Sequence, residues 1–293
     1  MGCVQITEEG LYPLLELPKL TKLRLRELFI FNDTVIGNLC ERLTSITDLT
    51  LENMDEVTDS GILHLSRLTT LISLTLKDPV LISGNCNVNE DTQGTYTLSP
   101  SDLKPITSLP TLGSLHLLGA TNLTEEGMAG FPSLQKSLVT LELDRCSGLT
   151  PQSTITALSP LNKLRTLVIR GNTGVTDQAL RFASALSSLR SLVLTECPNI
   201  TDASAQVLAQ HSSLTSLFLR SCGEITDEFL RDLGTSLPSL EELHLGKCSG
   251  VTDVGLRHLS SLSALRDIDL WECQGVTNEG VQYLSSLGLH VEL

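Results

Sequence analysis

The 293-residue sequence has few aromatic residues, no long apolar run and a deficit of basic residues. Phenylalanine, tyrosine and tryptophan together make up 3% of the chain. No apolar stretch approaches the roughly 18 residues of a membrane-spanning helix, so no contact with a membrane is expected. The net charge is −14, from 20 basic and 34 acidic residues. This charge excludes nucleic acid as a partner, because phosphates require a basic surface.

The motifs of common enzyme classes are also missing. The sequence contains no P-loop, no G-x-S-x-G nucleophile turn and no H-E-x-x-H zinc helix. Its six histidines are scattered, and no C-x-x-C pair or Cys/His cluster has the spacing of metal ligands. The sequence therefore predicts a protein that is not an enzyme and that holds no metal or other cofactor.

What the sequence does contain is a repeat. A cysteine or a substitute recurs every 25 or 26 residues after the spacing L-x-x-L-x-L-x-x-C, as in Leu214, Leu217, Leu219 and Cys222. A period of this length is typical of solenoids, whose repeats stack on their neighbours and present an extended binding surface. We therefore expect a single repeat domain over residues 1–293, with about ten to eleven repeats.

One step between repeats is 41 residues long, and the extra residues predict an insertion. The segment 83–99 is polar and lacks apolar periodicity, which favours a loop that leaves the solenoid. Two interpretations remain open: a tolerated surface insertion and an extra contact loop. The chain also starts and ends in mid-repeat, so we expect it to behave as the core of a larger solenoid.

Within one repeat, the L-x-L alternation has the period of a strand with one buried face. A Thr-Asp pair then follows the cysteine, and either side chain is suited to cap a short helix. Stacking such units predicts an α/β fold in which helices cover the convex side of a parallel, concave sheet. Ten strands are expected between residues 20 and 270, and residues 289–293 alternate like one further strand.

The cysteines indicate the compartment. Six of the eight occupy the same repeat position: Cys3, Cys146, Cys197, Cys222, Cys248 and Cys273. Equivalent positions on neighbouring parallel strands lie about 4.8 Å apart, within reach of a disulfide. Such an arrangement is safest in a reducing compartment, so we expect a cytoplasmic or nuclear protein. The thiols are predicted to be reduced and buried, with S–H groups that bond to turn carbonyls.

These residues resemble the cysteine-containing leucine-rich repeats of F-box/leucine-rich-repeat proteins. The family pattern, L-x-x-L-x-L-x-x-C-x-x-I-T-D-x-G-L, is matched best by residues 189–288 and more loosely by residues 3–188. The resemblance implies a horseshoe-shaped leucine-rich-repeat solenoid that recruits substrates to a ubiquitin ligase, with ligase components as partners. No F-box segment precedes the repeats in this chain. It is therefore either a piece of a longer protein or a stand-alone relative that binds partners without ubiquitination.

A protein partner is expected on the concave face, where the residues between the buried leucines point outward. Near the C-terminus these positions combine apolar and aromatic side chains with charged ones, the usual anatomy of an interface. The predicted partner-binding residues are Val168, Arg170, Val193, Phe218, Arg220, Glu242, His244, Asp267, Asp269 and Trp271. For Trp271 a second interpretation is open, in which the terminal strand covers it and it merely seals the end.

Two other functions compete with a protein-binding module. The acidic charge would suit a stand-alone inhibitor of a basic protein. Alternatively, the concave face would serve as a receptor for a small molecule, which requires pockets between the repeats.

Overall fold

The computed structural model describes residues 8–28, 31–54, 56–77, 103–121, 123, 125–146 and 148–293. They belong to two compact units, Met1–Gly148 and Leu149–Leu293, which we call the N-terminal and C-terminal units. The insertion predicted at 83–99 lies outside the described residues, as do Cys3 and Cys86.

The described part of the N-terminal unit alternates parallel strands with short helices. Its strands are β1 (Lys22–Arg26), β2 (Asp48–Glu52), β3 (Ser73–Lys77), β4 (Ser114–Leu118) and β5 (Thr140–Asp144). Its α-helices are α1 (Glu8–Leu15), α2 (Asp33–Arg42), α3 (Asp59–His64), α4 (Lys104–Thr107) and α5 (Glu125–Met128), with 3₁₀ helices at Leu65–Arg67 and Phe131–Lys136. Each strand pairs in parallel with the next one along the chain.

The C-terminal unit repeats this arrangement. Its strands are β6 (Thr166–Arg170), β7 (Ser191–Thr195), β8 (Ser216–Phe218), β9 (Glu242–His244), β10 (Asp267–Asp269) and β11 (His290–Glu292). Its α-helices are α6 (Pro151–Leu158), α7 (Ser204–Leu208), α8 (Asp227–Gly234), α9 (Asp253–Leu256) and α10 (Asn278–Ser286), with 3₁₀ helices at Ala179–Ala185 and Arg257–Ser261. All neighbouring strands are again parallel. The ten strands predicted between residues 20 and 270 are confirmed, and the terminal alternation forms β11.

The strand pattern follows the predicted alternation. In β7, Leu192 and Leu194 are fully buried beneath the sheet, whereas Val193 and Thr195 on the other face are partly exposed. We call this outer face of the strands the strand face. Because each repeat buries its leucines against the next, no repeat has a complete core alone.

The described turns that lead into a cysteine have a feature that the sequence did not reveal. The residue before the cysteine has a left-handed backbone conformation: Glu196, Ser221 and Lys247 have φ of 56°, 58° and 65°. Such a conformation costs a side-chain-bearing residue about 1–2 kcal/mol. It turns the backbone so that the Ser221 N–H donates to the Gly246 carbonyl at 2.8 Å. A bond to the next repeat thus offsets the strain.

The Thr-Asp pair links neighbouring repeats as well as capping a helix. Thr252 caps α9 by accepting a hydrogen bond from the Val254 N–H at 3.2 Å. Asp227 of the preceding repeat accepts the Thr252 N–H at 2.7 Å and the Thr252 hydroxyl at 2.6 Å. The same pair of hydrogen bonds joins Asp33 to Thr58, Asp177 to Thr201, Asp202 to Thr226 and Asp253 to Thr277. The motif therefore forms a ladder of inter-repeat contacts.

The cysteine thiols also connect repeats. Cys222 donates its S–H to the Leu194 carbonyl at 3.1 Å, and Cys248 donates to the Leu219 carbonyl at 3.2 Å. All six described cysteines are free and buried: Cys40, Cys146, Cys197, Cys222, Cys248 and Cys273. The expected burial is therefore confirmed for all six, and the expected thiol-to-carbonyl bonds are confirmed for the five that share the repeat position.

Burial makes these thiols unreactive, because the nucleophile is the thiolate. Desolvation raises the pKa of Cys146, Cys222 and Cys248 to about 12, and that of Cys197 to about 11. We expect a thiol reagent at pH 8 to leave the six described cysteines unmodified in the folded protein and to modify all eight after denaturation. Rapid native modification of more than two thiols, followed by mass spectrometry, would contradict this expectation.

One core position departs from the repeat. His211 stands where the equivalent residues of neighbouring repeats are Leu186 and Leu237. It is only 4% exposed, and among the described residues its Nε2 has no hydrogen-bond partner. Burial lowers the pKa of His211, with a backbone hydrogen bond at Ala183 opposing the shift. Burial therefore favours the neutral form of the imidazole, whose Nε2 is left unsatisfied.

We expect His211→Leu to raise the free energy of unfolding by about 1–3 kcal/mol, because it removes a buried unsatisfied group. The unfolded chain binds a proton at this histidine below about pH 6.5, while the folded chain resists it. The free energy of unfolding of the wild type should therefore fall as the pH drops through that value. In His211→Leu the contribution of this histidine to the decrease should be absent. Urea denaturation at pH 7.5 and 5.5 measures both effects. A variant that is less stable than the wild type at both pH values would contradict the prediction.

Candidate protein-binding surface

The predicted binding residues come together on the strand face of the C-terminal unit. Parallel pairing places Val168, Val193, Phe218, His244 and Asp269 in one row across β6 to β10. A second pairing aligns Glu242 with Asp267. In the second outward row Arg170 pairs with Thr195, and Arg220 and Trp271 each lie two residues beyond the first row. The sequence thus predicted which side chains share this face.

An aromatic stack occupies the middle of the row. The rings of Phe218 and His244 are stacked, with centroids 4.0 Å apart and planes inclined by 13°. Both side chains are partly exposed. Because the two rings pack face to face across neighbouring strands, the stack offers a rigid contact to a partner.

Asp269 is the anchor of the surface rather than part of its rim. It is 3% exposed, although it was predicted to point outward with the other partner-binding residues. Its Oδ2 lies 3.4 Å from both Nε of Arg220 and Nδ1 of His244, and its Oδ1 accepts the Trp271 N–H at 2.8 Å. The carboxylate is buried because these three neighbours cover it, and it fixes their positions.

Two cationic side chains lie over the ring of Trp271. The guanidinium carbon of Arg220 lies 5.3 Å from the ring centroid, and Nζ of Lys247 lies 4.7 Å from it. Lys247 is also 3.6 Å from Glu272. These cation–π contacts hold the indole in place, yet 38% of the residue remains exposed. The interpretation in which the terminal strand seals Trp271 is therefore wrong, because β11 leaves the ring accessible.

A glycine makes the arrangement possible. A Cβ atom at Gly246 would lie 3.1 Å from Nε of Arg220 and 3.4 Å from Oδ2 of Asp269. Arg220 on one repeat thus reaches Asp269 two repeats away across a position without a side chain. The sequence reasoning missed this role, and it also missed Lys247, since a contact across two repeats appears only when the strands are in register.

The remaining predicted residues frame this centre. Val193 and Glu242 are partly exposed and Arg170 is exposed. Val168 is only 9% exposed, so it supports its neighbours more than it offers contact area. Asp267 lies 3.2 Å from Nδ1 of His290 on β11, and this pair marks the end of the surface.

A second charged group lies on the strand face of the N-terminal unit. The Glu52 side chain is fully buried, and its carboxylate lies 3.0 Å from Nη2 of Arg26, 3.2 Å from Nη2 of Arg24 and 2.5 Å from Nζ of Lys77. The hydrogen bond from Lys77 is the largest cause that lowers the pKa of Glu52, and Arg24 adds to it against desolvation. We call these four residues the Glu52 cluster.

The sequence carried an overlooked signal for this cluster. Arg26, Glu52 and Lys77 occupy one repeat position in three successive repeats and alternate in charge, and pairing places them side by side. Glu52 lies on the outer face of its strand, yet its side chain is buried because the three long cationic side chains cover it.

A small apolar cavity lies elsewhere in the N-terminal unit. Its lining is entirely apolar and comes from α1, β1, α2 and their flanking residues. The cavity has room for about one water molecule. It lies among the buried leucines rather than on the strand face, so it offers no support for a small-molecule receptor there.

Comparisons with known proteins agree with this architecture. The family model described as Leucine Rich repeat matches residues 236–260, and no curated protein matches the chain. A chain of the Rad7–Elc1 complex from yeast is 18% identical, with a TM-score of 0.54 over 97% of this chain and 83% of its own. Internalin C2 from Listeria monocytogenes is 25% identical, with a TM-score of 0.53 over 82% of this chain and 84% of its own. Internalin InlF from the same organism is 19% identical, with a TM-score of 0.62 over 98% of this chain and 89% of its own.

The chain is thus a leucine-rich-repeat protein with a solenoid fold. This fold is typically a non-enzymatic binding scaffold, and its repeats form a module for protein binding. Within the described ranges, no helix is long and apolar enough to cross a membrane.

Proposed function

We propose that this chain is a non-enzymatic module whose protein partner binds the strand face of the C-terminal unit. The observation that carries the proposal is Trp271, the chain's single tryptophan, exposed and held by Arg220 and Lys247 beside the Phe218–His244 stack. Tryptophan, tyrosine and arginine are the residues that dominate binding energy at interfaces. Rigid aromatic groups also lose little conformational freedom when a partner docks.

The more specific form of the proposal is that the chain recruits substrates to an F-box-type ubiquitin ligase in the cytoplasm or nucleus. Its support is the resemblance of the repeats at 189–288 to those of F-box/leucine-rich-repeat proteins. The row of buried, unreactive thiols adds to this support, since it suits a reducing compartment. The yeast structure that shares the fold is itself a complex of two proteins.

The net charge of −14 favours a second candidate, an acidic inhibitor that binds a basic enzyme. Acidic side chains flank the aromatic centre, including Glu242, Asp267 and Glu272. A field of this sign would steer a basic partner toward the surface. The two candidates predict different bound proteins: an adaptor would be found with ubiquitin-ligase components, and an inhibitor with one basic enzyme alone.

Affinity capture from cell extract tests the proposal and separates the candidates. We expect the wild type to retain a partner that Trp271→Ala retains much less, with Thr75→Ala as a control on the other unit. Ubiquitin-ligase components in the retained material would support the adaptor, and one basic enzyme alone would support the inhibitor. Equal retention by the wild type and both variants would contradict a binding site at Trp271.

A further inference from the structure

The Glu52 cluster holds more positive charge than its own carboxylate neutralises. Arg24, Arg26 and Lys77 all contact the single carboxylate of Glu52. Glu27 offsets part of the excess, because its carboxylate lies 3.6 Å from Nε of Arg26. The cations remain open to solvent, with exposed side-chain fractions of 66%, 54% and 36%. The cluster is thus a local basic surface in a chain whose net charge is −14.

The geometry of the cluster is compact. The three cationic nitrogens lie within 3.2 Å of one carboxylate group, so a buried anion gathers side chains from β1 and β3 to one point. Among the described residues, Nε and Nη1 of Arg24 contact no acceptor. Guanidinium nitrogens left open in this way are suited to bind the oxygens of an anion.

We infer that the Glu52 cluster binds a phosphomonoester, carried on a side chain of a protein partner. A phosphomonoester places nearly two negative charges on one phosphorus centre, which matches cations gathered at one point. Carboxylates on an extended acidic peptide are less suited, because side chains on the same face lie roughly 7 Å apart.

A phosphorylated peptide fits the surroundings better than a membrane surface. On the same unit β5 presents Glu142 and Asp144, and an extended anionic bilayer would face these carboxylates together with the acidic charge of the chain. A single phosphate group, in contrast, would contact the Glu52 cluster alone. The three cationic side chains are exposed, so peptide residues that flank the phosphate would lie along β2 and β3 and supply contacts that free phosphate lacks.

This inference goes beyond the proposed function, since it concerns the N-terminal unit and a different chemistry. Its failure leaves the surface around Trp271 unaffected. Likewise, a partner that binds only at Trp271 leaves the Glu52 cluster available for a separate ligand.

The test is a titration of the full chain followed by NMR of arginine side-chain nitrogens, at constant ionic strength. The probe is the peptide Ala-Gly-phosphoserine-Gly-Ala, with the serine and glutamate versions of the peptide as matched controls. We expect saturable shifts with the phosphoserine peptide, weaker ones with the glutamate peptide and none with the serine peptide. Arg24→Gln should weaken phosphopeptide binding roughly tenfold, as for the loss of one charged hydrogen bond. Arg67→Gln removes the same charge from the Glu41 pair and should leave binding unchanged.

Several results would overturn the inference. One is the absence of a saturable shift in the wild type, which requires no variant to fold. Equal weakening by Arg24→Gln and Arg67→Gln is another, because it shows a general charge effect. Inorganic phosphate that binds as tightly as the phosphopeptide would assign the cluster to a free anion. Preferential binding to vesicles that contain a phosphorylated phosphatidylinositol would assign it to a membrane.

Discussion

Gly255→Ala is expected to lower the free energy of unfolding by about 2–4 kcal/mol, through overpacking and the loss of a charged hydrogen bond. A Cβ atom at Gly255 would overlap Oδ1 of Asp227, the oxygen that accepts the Thr252 N–H. The methyl group would therefore push the carboxylate away from the next repeat and break one rung of the ladder. Urea denaturation followed by circular dichroism measures the loss.

Gly223→Ala is the matched control, because a Cβ atom there meets nothing within 4 Å. This change should alter stability by less than about 0.5 kcal/mol. Similar losses in both variants would show that the chain does not depend on the Asp227–Thr252 contact.

The second large effect concerns affinity for a partner. Phe218→Ala and Trp271→Ala are each expected to cost about 2 kcal/mol or more of binding free energy, as for residues at the centre of an interface. The first removes the ring that stacks on His244, and the second removes the ring that Arg220 and Lys247 contact. Isothermal titration with the captured partner measures both.

The controls are Thr50→Ala and Thr75→Ala, which lie on the strand face of the N-terminal unit. Their affinities should remain close to that of the wild type. If both aromatic variants fold normally and bind with unchanged affinity, the partner binds elsewhere.

The repeat period allowed most of the fold to be predicted. A leucine that recurs in register, such as Leu192 or Leu217, must face the same core in every repeat, so strand positions and outward residues followed directly. The aspartate of the Thr-Asp pair was interpreted as a helix cap. Its bond to the next repeat was missed, because that contact spans 25 residues, as from Asp227 to Thr252.

The candidate site was predicted in outline but not in its chemistry. The outward positions of Phe218, Arg220 and Trp271 followed from the strand pattern. The burial of Asp269 and the role of Gly246 did not, because both depend on how far an arginine side chain reaches across two strands. Such contacts are a matter of side-chain conformation rather than of periodicity.

The most direct test of the central claim is photo-crosslinking from defined positions. A photoreactive residue would replace Val193, on the strand face of the C-terminal unit, or Val254, which lies in α9 and is 63% exposed. With the captured partner and equal irradiation, we predict cross-links from position 193 and none from position 254. Cross-links from position 254 without any from position 193 would contradict a partner-binding strand face.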